Sequence, residues 1–326
     1  MYKKAWLALM IAILLIFPGR MTTWAAAPEY GDTQGQQAEP DIQLVSGLGL
    51  MNGTGSNDQG IEVFSPGNEV SRAQLACVLQ RTFQLDYGKM KFIKAPQASD
   101  YYQDVNNDAW YASGLVMCAI NKVFDSGSEF YPDRSVSRIE LARGIMRSFN
   151  AKGINVPMIM MMPVYEDTDS LSQEDMNAMV FVNNTGIMKG DGQYFRPDKL
   201  VNRAELSEVL SGCISLMALD EGSNGMDYQI AVGQTFIISL NSNPTTGYCW
   251  NIWDDKSFEE QNVLENTGSV YRSQSDKSQG LVGRGGREYW QFKALHTGTI
   301  ELKLGYARPW ESVQPAQVFT LKVNVI

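Results

Sequence analysis

The sequence predicts a multidomain chain, with an α-helical region of three repeated units followed by an all-β sandwich. Three observations predict it. A short pattern recurs at offsets of 66 and 65 residues, which marks tandem supersecondary units. Within each copy the apolar residues fall at helical spacing, as in Leu75, Val78, Leu79 and Phe83. Beyond residue 227 the period becomes two: Ile300, Leu302, Leu304 and Tyr306 face one side, Glu301 and Lys303 the other.

Taken in order, residues 1–25 read as an export signal. Lys3 and Lys4 give a basic start, Ala5 to Phe17 an apolar stretch too short for a comfortable span, and Thr23-Trp24-Ala25 a cleavage site. An uncleaved anchor is the lesser alternative. Residues 28–40, rich in Gly, Gln and Glu, read as a flexible lead. The repeat then runs Phe64-Ser65-Pro66 with Ser71-Arg72-Ala73-Gln74, Phe130-Tyr131-Pro132 with Ser137-Arg138-Ile139-Glu140, and Phe195-Arg196-Pro197 with Asn202-Arg203-Ala204-Glu205. The units span 41–90, 98–155 and 162–220, each helix, Gly-rich loop, helix. Ser71, Ser137 and Asn202 are N-caps, and Gln74, Glu140 and Glu205 at N3 complete capping boxes. Asp108 is placed as the cap of a helix opening at Trp110, and a third-unit helix starts near Ser172. The first unit, which keeps only Ile42 to Leu50 of its leading helix, is the most degenerate. Residues 221–227 read as a flexible linker.

The sandwich occupies 227–326. Two strand-like runs, Thr235 to Leu240 and Tyr248 to Trp253, flank Asn243-Pro244-Thr245-Thr246-Gly247-Tyr248. Pro244 fixes φ near −65° and Gly247 permits φ > 0, so the segment is a pre-shaped tip. Alone it is an ordinary turn. Two further loops follow, Gly283-Arg284-Gly285-Gly286 and Arg308-Pro309-Trp310-Glu311. The three together, in this order, resemble the chagasin family of cysteine peptidase inhibitors, marked by NPTTG[YF], GxGG and RPW loops. The resemblance covers about the last hundred residues. It implies an immunoglobulin-like sandwich, no catalysis, and a papain-like cysteine peptidase as partner. It also implies peptidase contacts from Asn243, Pro244, Thr245, Thr246, Gly247, Tyr248, Gly283, Gly285, Gly286, Arg308, Pro309 and Trp310.

The helical repeats resemble the S-layer homology domain, usually three tandem copies. Asp104-Val105, Trp110-Tyr111, the F-x-P triplets and the R-x-[EQ] triplets carry it. The resemblance implies anchoring to an anionic, often pyruvylated, secondary cell-wall polysaccharide, through Arg72, Arg138 and Arg203 with Glu140 and Glu205. It places the chain, secreted, on the cell wall or S-layer of a Gram-positive-type bacterium. Departures are Gln74 in place of Glu, and no Trp helix start in the first and third units.

Composition excludes other classes. Removing residues 1–25 takes Lys3, Lys4 and Arg20 and no acid, leaving 24 basic against 36 acidic side chains, net −12. So acidic a chain does not bind nucleic acid non-specifically, and no later stretch is long and apolar enough to span a membrane. Cys77, Cys118, Cys213 and Cys249 form no C-x-x-C pair, so zinc is disfavoured; buried thiols are preferred over a disulfide among the first three. The Asp104 to Asp108 run lacks the Gly and bidentate Glu of a calcium loop. The Met158 to Met162 run reads as an apolar linker packed on the repeats. The one histidine, His296, lies in a turn and carries no catalytic role. No cofactor or metal is expected. The expected function is reversible inhibition of papain-like peptidases at the cell surface. The alternative is a wall adhesin or S-layer component whose sandwich binds a non-protease partner.

Overall fold

A computed structural model describes residues 28–88, 90–159, 161–253, 255–273, 285–311 and 313–326. The export signal expected at 1–25 and the loop residue Gly283 lie outside the described residues.

The N-terminal region contains helices Glu39–Gly47 (α1), Arg72–Phe83 (α2), Ala112–Ile120 (α3), Arg138–Ala151 (α4), Gln173–Asn184 (α5) and Arg203–Met217 (α6), with a small hairpin Gly55–Ser56 (β1) and Glu62–Val63 (β2). Ser71, Ser137 and Asn202 cap α2, α4 and α6 as expected, each accepting from the N–H three residues on. Helix α3 packs on α2, α5 on α4, and α1 on α6. The leading helices of the second and third units thus cover the second helix of the unit before, and α1 covers α6, the last helix of the N-terminal region. Isolated bridges Ser71 to Ser135, Ser137 to Leu200 and Glu69 to Asn202 join the three junctions. Phe64, Phe130 and Phe195 are fully buried.

One local device recurs at the three F-x-P turns. The middle residues Ser65, Tyr131 and Arg196 sit at φ of 57°, 55° and 59°, a left-handed conformation unfavourable for non-glycine residues. A carboxylate offsets this by accepting two adjacent backbone N–H groups. Asp32 takes Phe64 N and Ser65 N at 2.8 and 2.7 Å, Asp104 takes Phe130 N and Tyr131 N, and Asp167 takes Phe195 N and Arg196 N. The lead at 28–40 is therefore not flexible: Tyr30 is buried against the Phe64 ring at 5.3 Å, and Asp32 ties it down. The missed signal is Tyr-x-Asp at Tyr30, Tyr102 and Tyr165. Asp108 does not cap α3, which starts later, at Ala112, with no side-chain cap. Of the Met158–Met162 run, Met158 is half-buried against the helical core, as expected, but Ile159, Met161 and Met162 are exposed, and Met160 lies outside the described residues.

The C-terminal region is a sandwich of two sheets. One orders Asp227–Ile230 (β3), Gln317–Val325 (β9), Gly298–Ala307 (β8) and Cys249–Ile252 (β5). The other orders Thr235–Ser242 (β4), Gly286–Ala294 (β7) and Leu264–Ser273 (β6). β3 runs parallel to β9 and the remaining pairs are antiparallel. A short helix, Asp255–Gln261 (α7), follows β5. Alternation predicts the core: Phe236, Ile238, Leu240, Trp290 and Phe292 meet Ile300, Leu302, Leu304, Phe319, Leu321 and Val323.

The outer face of β4-β7-β6 is covered by the helical region. Val270 and Tyr289 are buried in the helical core, Asp41 pairs with Arg272 at 2.8 Å, and the Ser215 and Tyr289 hydroxyls lie 3.1 Å apart. Gln84 bonds both N–H and C=O of Thr235, at 2.6 and 2.7 Å. Leu219 extends β4 by a parallel bridge to Ile238. The expected flexible linker at 221–227 is ordered. Glu221 opens a 3-10 turn and accepts from Asn241 N (2.6 Å) and Arg287 (3.0 Å), and Gly225 N donates to Thr320 O. Polar and glycine-rich composition suggested freedom, but these contacts satisfy the backbone and fix it.

Candidate functional site

The sandwich brings the 243–248 loop, the 308–311 loop and the Gly285-Gly286 end of the loop between them together at one end. β4 and β5 belong to different sheets, so the segment between them crosses the sandwich as a protruding tip. Pro244–Thr246 forms a single 3-10 turn, closed by Thr246 N to Asn243 O (3.0 Å) and Gly247 N to Pro244 O (2.9 Å). Gly247 has φ +81°, as the sequence requires. Both threonine side chains are exposed but bonded within the tip, Thr245 Oγ1 to Asn243 Oδ1 at 2.7 Å and Thr246 Oγ1 to Asn243 O at 2.6 Å. The tip is thus uncharged and pre-ordered, and it loses little entropy on docking.

Arg308 lies alongside. Its guanidinium sits 4.6 Å from the Tyr248 ring centroid, Nε donates to Thr246 O at 3.3 Å, and Glu311 pairs with it at 2.9 Å. Trp310 is 70% exposed, yet its ring presses on the tip: a Cβ at Gly247 would lie 2.7 Å from Trp310 Cη2. On the other flank a Cβ at Gly285 would meet Ser242 O at 3.0 Å and one at Gly286 would meet the Tyr271 hydroxyl at 2.7 Å, so the glycines permit close backbone approach. Tyr248 stacks on Tyr306 and Trp250 packs against it at a tilt, and the Tyr306 hydroxyl accepts from Asn243 N at 2.9 Å. Asn243 to Tyr248, Gly285, Gly286 and Arg308 to Trp310 therefore form one edge. Sequence reading missed Glu288, buried directly below it, which strand alternation with Trp290 and Phe292 could have revealed.

The repeated arginines are also placed together with their partners, but not on the surface. Arg72, Arg138 and Arg203 are 9%, 8% and 7% exposed. Arg72 and Arg138 reach into the following unit and Arg203 back into the first, each donating Nε to an F-x-P carbonyl: Phe130 O at 2.6 Å, Phe195 O at 3.0 Å and Phe64 O at 2.8 Å. Each guanidinium lies over that same phenylalanine, at 4.6, 5.1 and 4.2 Å from the centroid. Arg72 pairs with Glu140, and Arg138 with Glu205. This explains why the capping box closes only in α2. Gln74 Oε1 accepts from Ser71 N at 3.1 Å, while Glu140 and Glu205 turn to the arginines. Arg203 is held by carbonyls, including Asn52 O. Burial pulls Arg72 down to about 10, which leaves it charged at neutral pH.

Outside Arg138 lies a cleft of about 190 Å³ lined by Lys189, Gly190, Asp191, Tyr194, Arg196 and Lys199. Lys189, Arg196 and Lys199 are exposed around it, making it basic on an acidic protein. The Arg203 junction opens beside Tyr30, Asn52, Gly53 and Glu62. Gly53 and Gly190 each press on a tyrosine ring, Tyr30 and Tyr165. In the middle unit Ser126 stands at the glycine's place, and Asp125 at that of Asn52 and Lys189.

Comparison with known proteins separates the two regions. A model for the chagasin family peptidase inhibitor I42 matches residues 229–323, and one for the S-layer homology domain matches 29–76 and 165–207. Those segments are the first and third units, so it is the middle unit, not the first, that the model passes over. Amoebiasin-1 of Entamoeba histolytica is 35% identical over 109 residues, covering 33% of this chain and 99% of its own. Chagasin of Trypanosoma cruzi is 34% identical over 87 residues, 27% of this chain and 76% of its own. The surface-layer 125 kDa protein of Lysinibacillus sphaericus is 24% identical over 118 residues, 36% of this chain but only 9% of its own length. The crystal structure of a cysteine protease inhibitor from Entamoeba histolytica aligns over 33% of this chain and 94% of its own, with 30% identity and a TM-score of 0.29. The relatives of the C-terminal region are inhibitors, not enzymes. By residues 229–323, the chain belongs to the chagasin family of peptidase inhibitors.

Proposed function

We propose that the protein is a cell-surface inhibitor of papain-like cysteine peptidases, held to the wall by its helical region. The observation that carries this is the single edge formed by the ordered tip, the Gly285-Gly286 flank and Arg308-Pro309-Trp310. In this reading Thr245 and Thr246 enter the catalytic groove, and Gly283 to Gly286 and Trp310 bind on either side. The edge occludes the nucleophile without forming a bond. Trp and Arg are the residue types that most often dominate interface energy.

The helical region is read as three S-layer homology units on a ring, the sandwich as immunoglobulin-like, and residues 1–25 as a secretion signal. The domains are then 41–90, 98–155, 162–220 and 227–326, with the first unit extended back to Tyr30. The ligand is an anionic, pyruvylated wall polysaccharide of a Gram-positive-type cell. Arg72, Arg138 and Arg203, with Glu140 and Glu205, form the inner walls of the junctions, and the basic cleft at Arg138 is the most competent of the three. Full-length protein lacking residues 1–27 should inhibit papain reversibly, be recovered uncut between Thr245 and Gly247, and sediment with polymer-bearing walls. A covalent adduct, or cleavage in the tip, would count against the mechanism. Failure to sediment would remove the anchoring half alone.

A further inference from the structure

Glu288 is a carboxylate in an otherwise apolar interior. It lies on β7 opposite Leu240, is 1% exposed, and points inward with Trp290 and Phe292. Its two oxygens take three donors. Oε1 accepts from Ser242 Oγ at 2.5 Å. Oε2 accepts from Trp250 N at 3.3 Å and from Trp290 Nε1 at 3.4 Å.

The identity of these donors matters more than their number. Ser242 is the last residue of β4, immediately before Asn243. Trp250 is the second residue of β5, two after Tyr248. β4 and β5 lie in different sheets and have no ladder between them. The tip's two stalks therefore share one hydrogen-bonding group, contributed by a third strand, β7. That same strand begins at Gly286, in the second loop of the edge. Around it Trp250 Nε1 reaches back to Asn241 O at 2.9 Å, so both stalks are cross-tied at one level.

We infer that Glu288 is the positioning residue of the inhibitory edge, clamping the entry and exit of the 243–248 tip across the two sheets. The inference rests on the inhibitory reading above, and deepens it. Burying a carboxylate is unfavourable in itself. Desolvation pushes the Glu288 carboxyl above its ordinary range, and the Ser242, Trp250 and Trp290 contacts counter it. An apolar residue at this inward position would pack with Leu240 and Trp290 at no such cost. What it would lack is an acceptor for Ser242 and Trp250.

Glu288→Gln and Glu288→Leu separate clamp from core. The Gln oxygen accepts from Trp250 N and Trp290 Nε1, and its NH2 donates to Ser242 Oγ, so the bridge survives without charge. Leu keeps the volume and loses the bridge. Against papain, Glu288→Leu should weaken inhibition at least about tenfold, with Glu288→Gln within about threefold of the parent. Amide exchange reads the clamp with no peptidase present. Thr246 and Gly247 N–H should exchange faster in Glu288→Leu, while the β8–β9 amides keep their rates. Ser242→Ala removes one of the three contacts while leaving Glu288 in place, and should speed the same two amides. Unchanged tip exchange in Glu288→Leu or Ser242→Ala overturns the inference. So does acceleration that spreads equally to β8–β9, or equal loss of inhibition in Gln and Leu. If the parent protein fails to inhibit papain, the inhibitory reading fails, while the exchange result still decides the clamp.

Discussion

In the proposed inhibitory edge, Trp310 has to be exposed to reach the peptidase and held still to bind it well. Its ring lies on Gly247, where φ is +81° and no side chain intervenes. Truncating a central aromatic anchor typically costs about 2 kcal/mol or more, so Trp310→Ala should raise the inhibition constant roughly thirtyfold. Gly247→Ala should do at least as much harm by two routes. A left-handed alanine costs about 1–2 kcal/mol, and its Cβ would displace the Trp310 ring. An inhibition assay combined with tryptophan fluorescence checks both; full potency in either variant would count against a shared edge. Pro244 and Gly247 were legible in the sequence because their chemistry is local dihedral chemistry. The recurrence of Arg72, Arg138 and Arg203 was equally legible. Their burial was not, because the carbonyl that captures each arginine belongs to the next unit, 57 to 139 residues away in sequence.

At the scale of elements, the middle unit differs from its neighbours in how it holds two helices together. Asp125 pairs with Arg143 and Arg147 of α4, which also reach Asp175 and Glu174 of α5, at 2.6–2.7 Å. Burial alone would raise the Asp125 carboxyl, but Arg147 and Arg143 win and hold it below the usual range. A depressed folded value means stability that is present above the unfolded value and is lost as pH falls through the folded one. Asp125→Asn should therefore lower unfolding stability by about 0.5–1 kcal/mol at neutral pH, in line with exposed ion pairs. The gap should begin to narrow below about pH 4, where the unfolded carboxyl takes up its proton, and close as pH falls on through the lower folded value. Urea titrations at pH 7 and pH 3 test it; a gap that persists at low pH assigns the effect to shape and not charge. The N-caps of α2, α4 and α6 were readable because a cap acts within three residues. The start of α3 was not, since Tyr111 and its neighbours provide no side-chain cap and packing on α2 sets the boundary.

Across the whole molecule, the helices and the sandwich share a face, and the ordered 221–227 segment is part of it. A 227–326 fragment should fold, because a relative of similar extent consists of little else. It should also expose Ile237, Val270 and Tyr289, bind a hydrophobic dye, and melt at least about 4 °C below the sandwich in the full chain. Equal melting with no dye binding would show that the shared face contributes nothing. Periodicity predicted both classes of structure correctly, but it has no means of pairing the outer face of one region with the helices of another. The circular order of the helices carries a consequence for how such a chain is made. α1 emerges first from any ribosome or export channel, yet its packing partner α6 comes after every other helix of the region. Until then α1 has only local contacts, too few for a nine-residue helix to hold on its own. Within the helical region the closing contact is the one of longest sequence separation, and thus the slowest to find. A chain that stays open until its last helix arrives remains threadable for as long as threading takes.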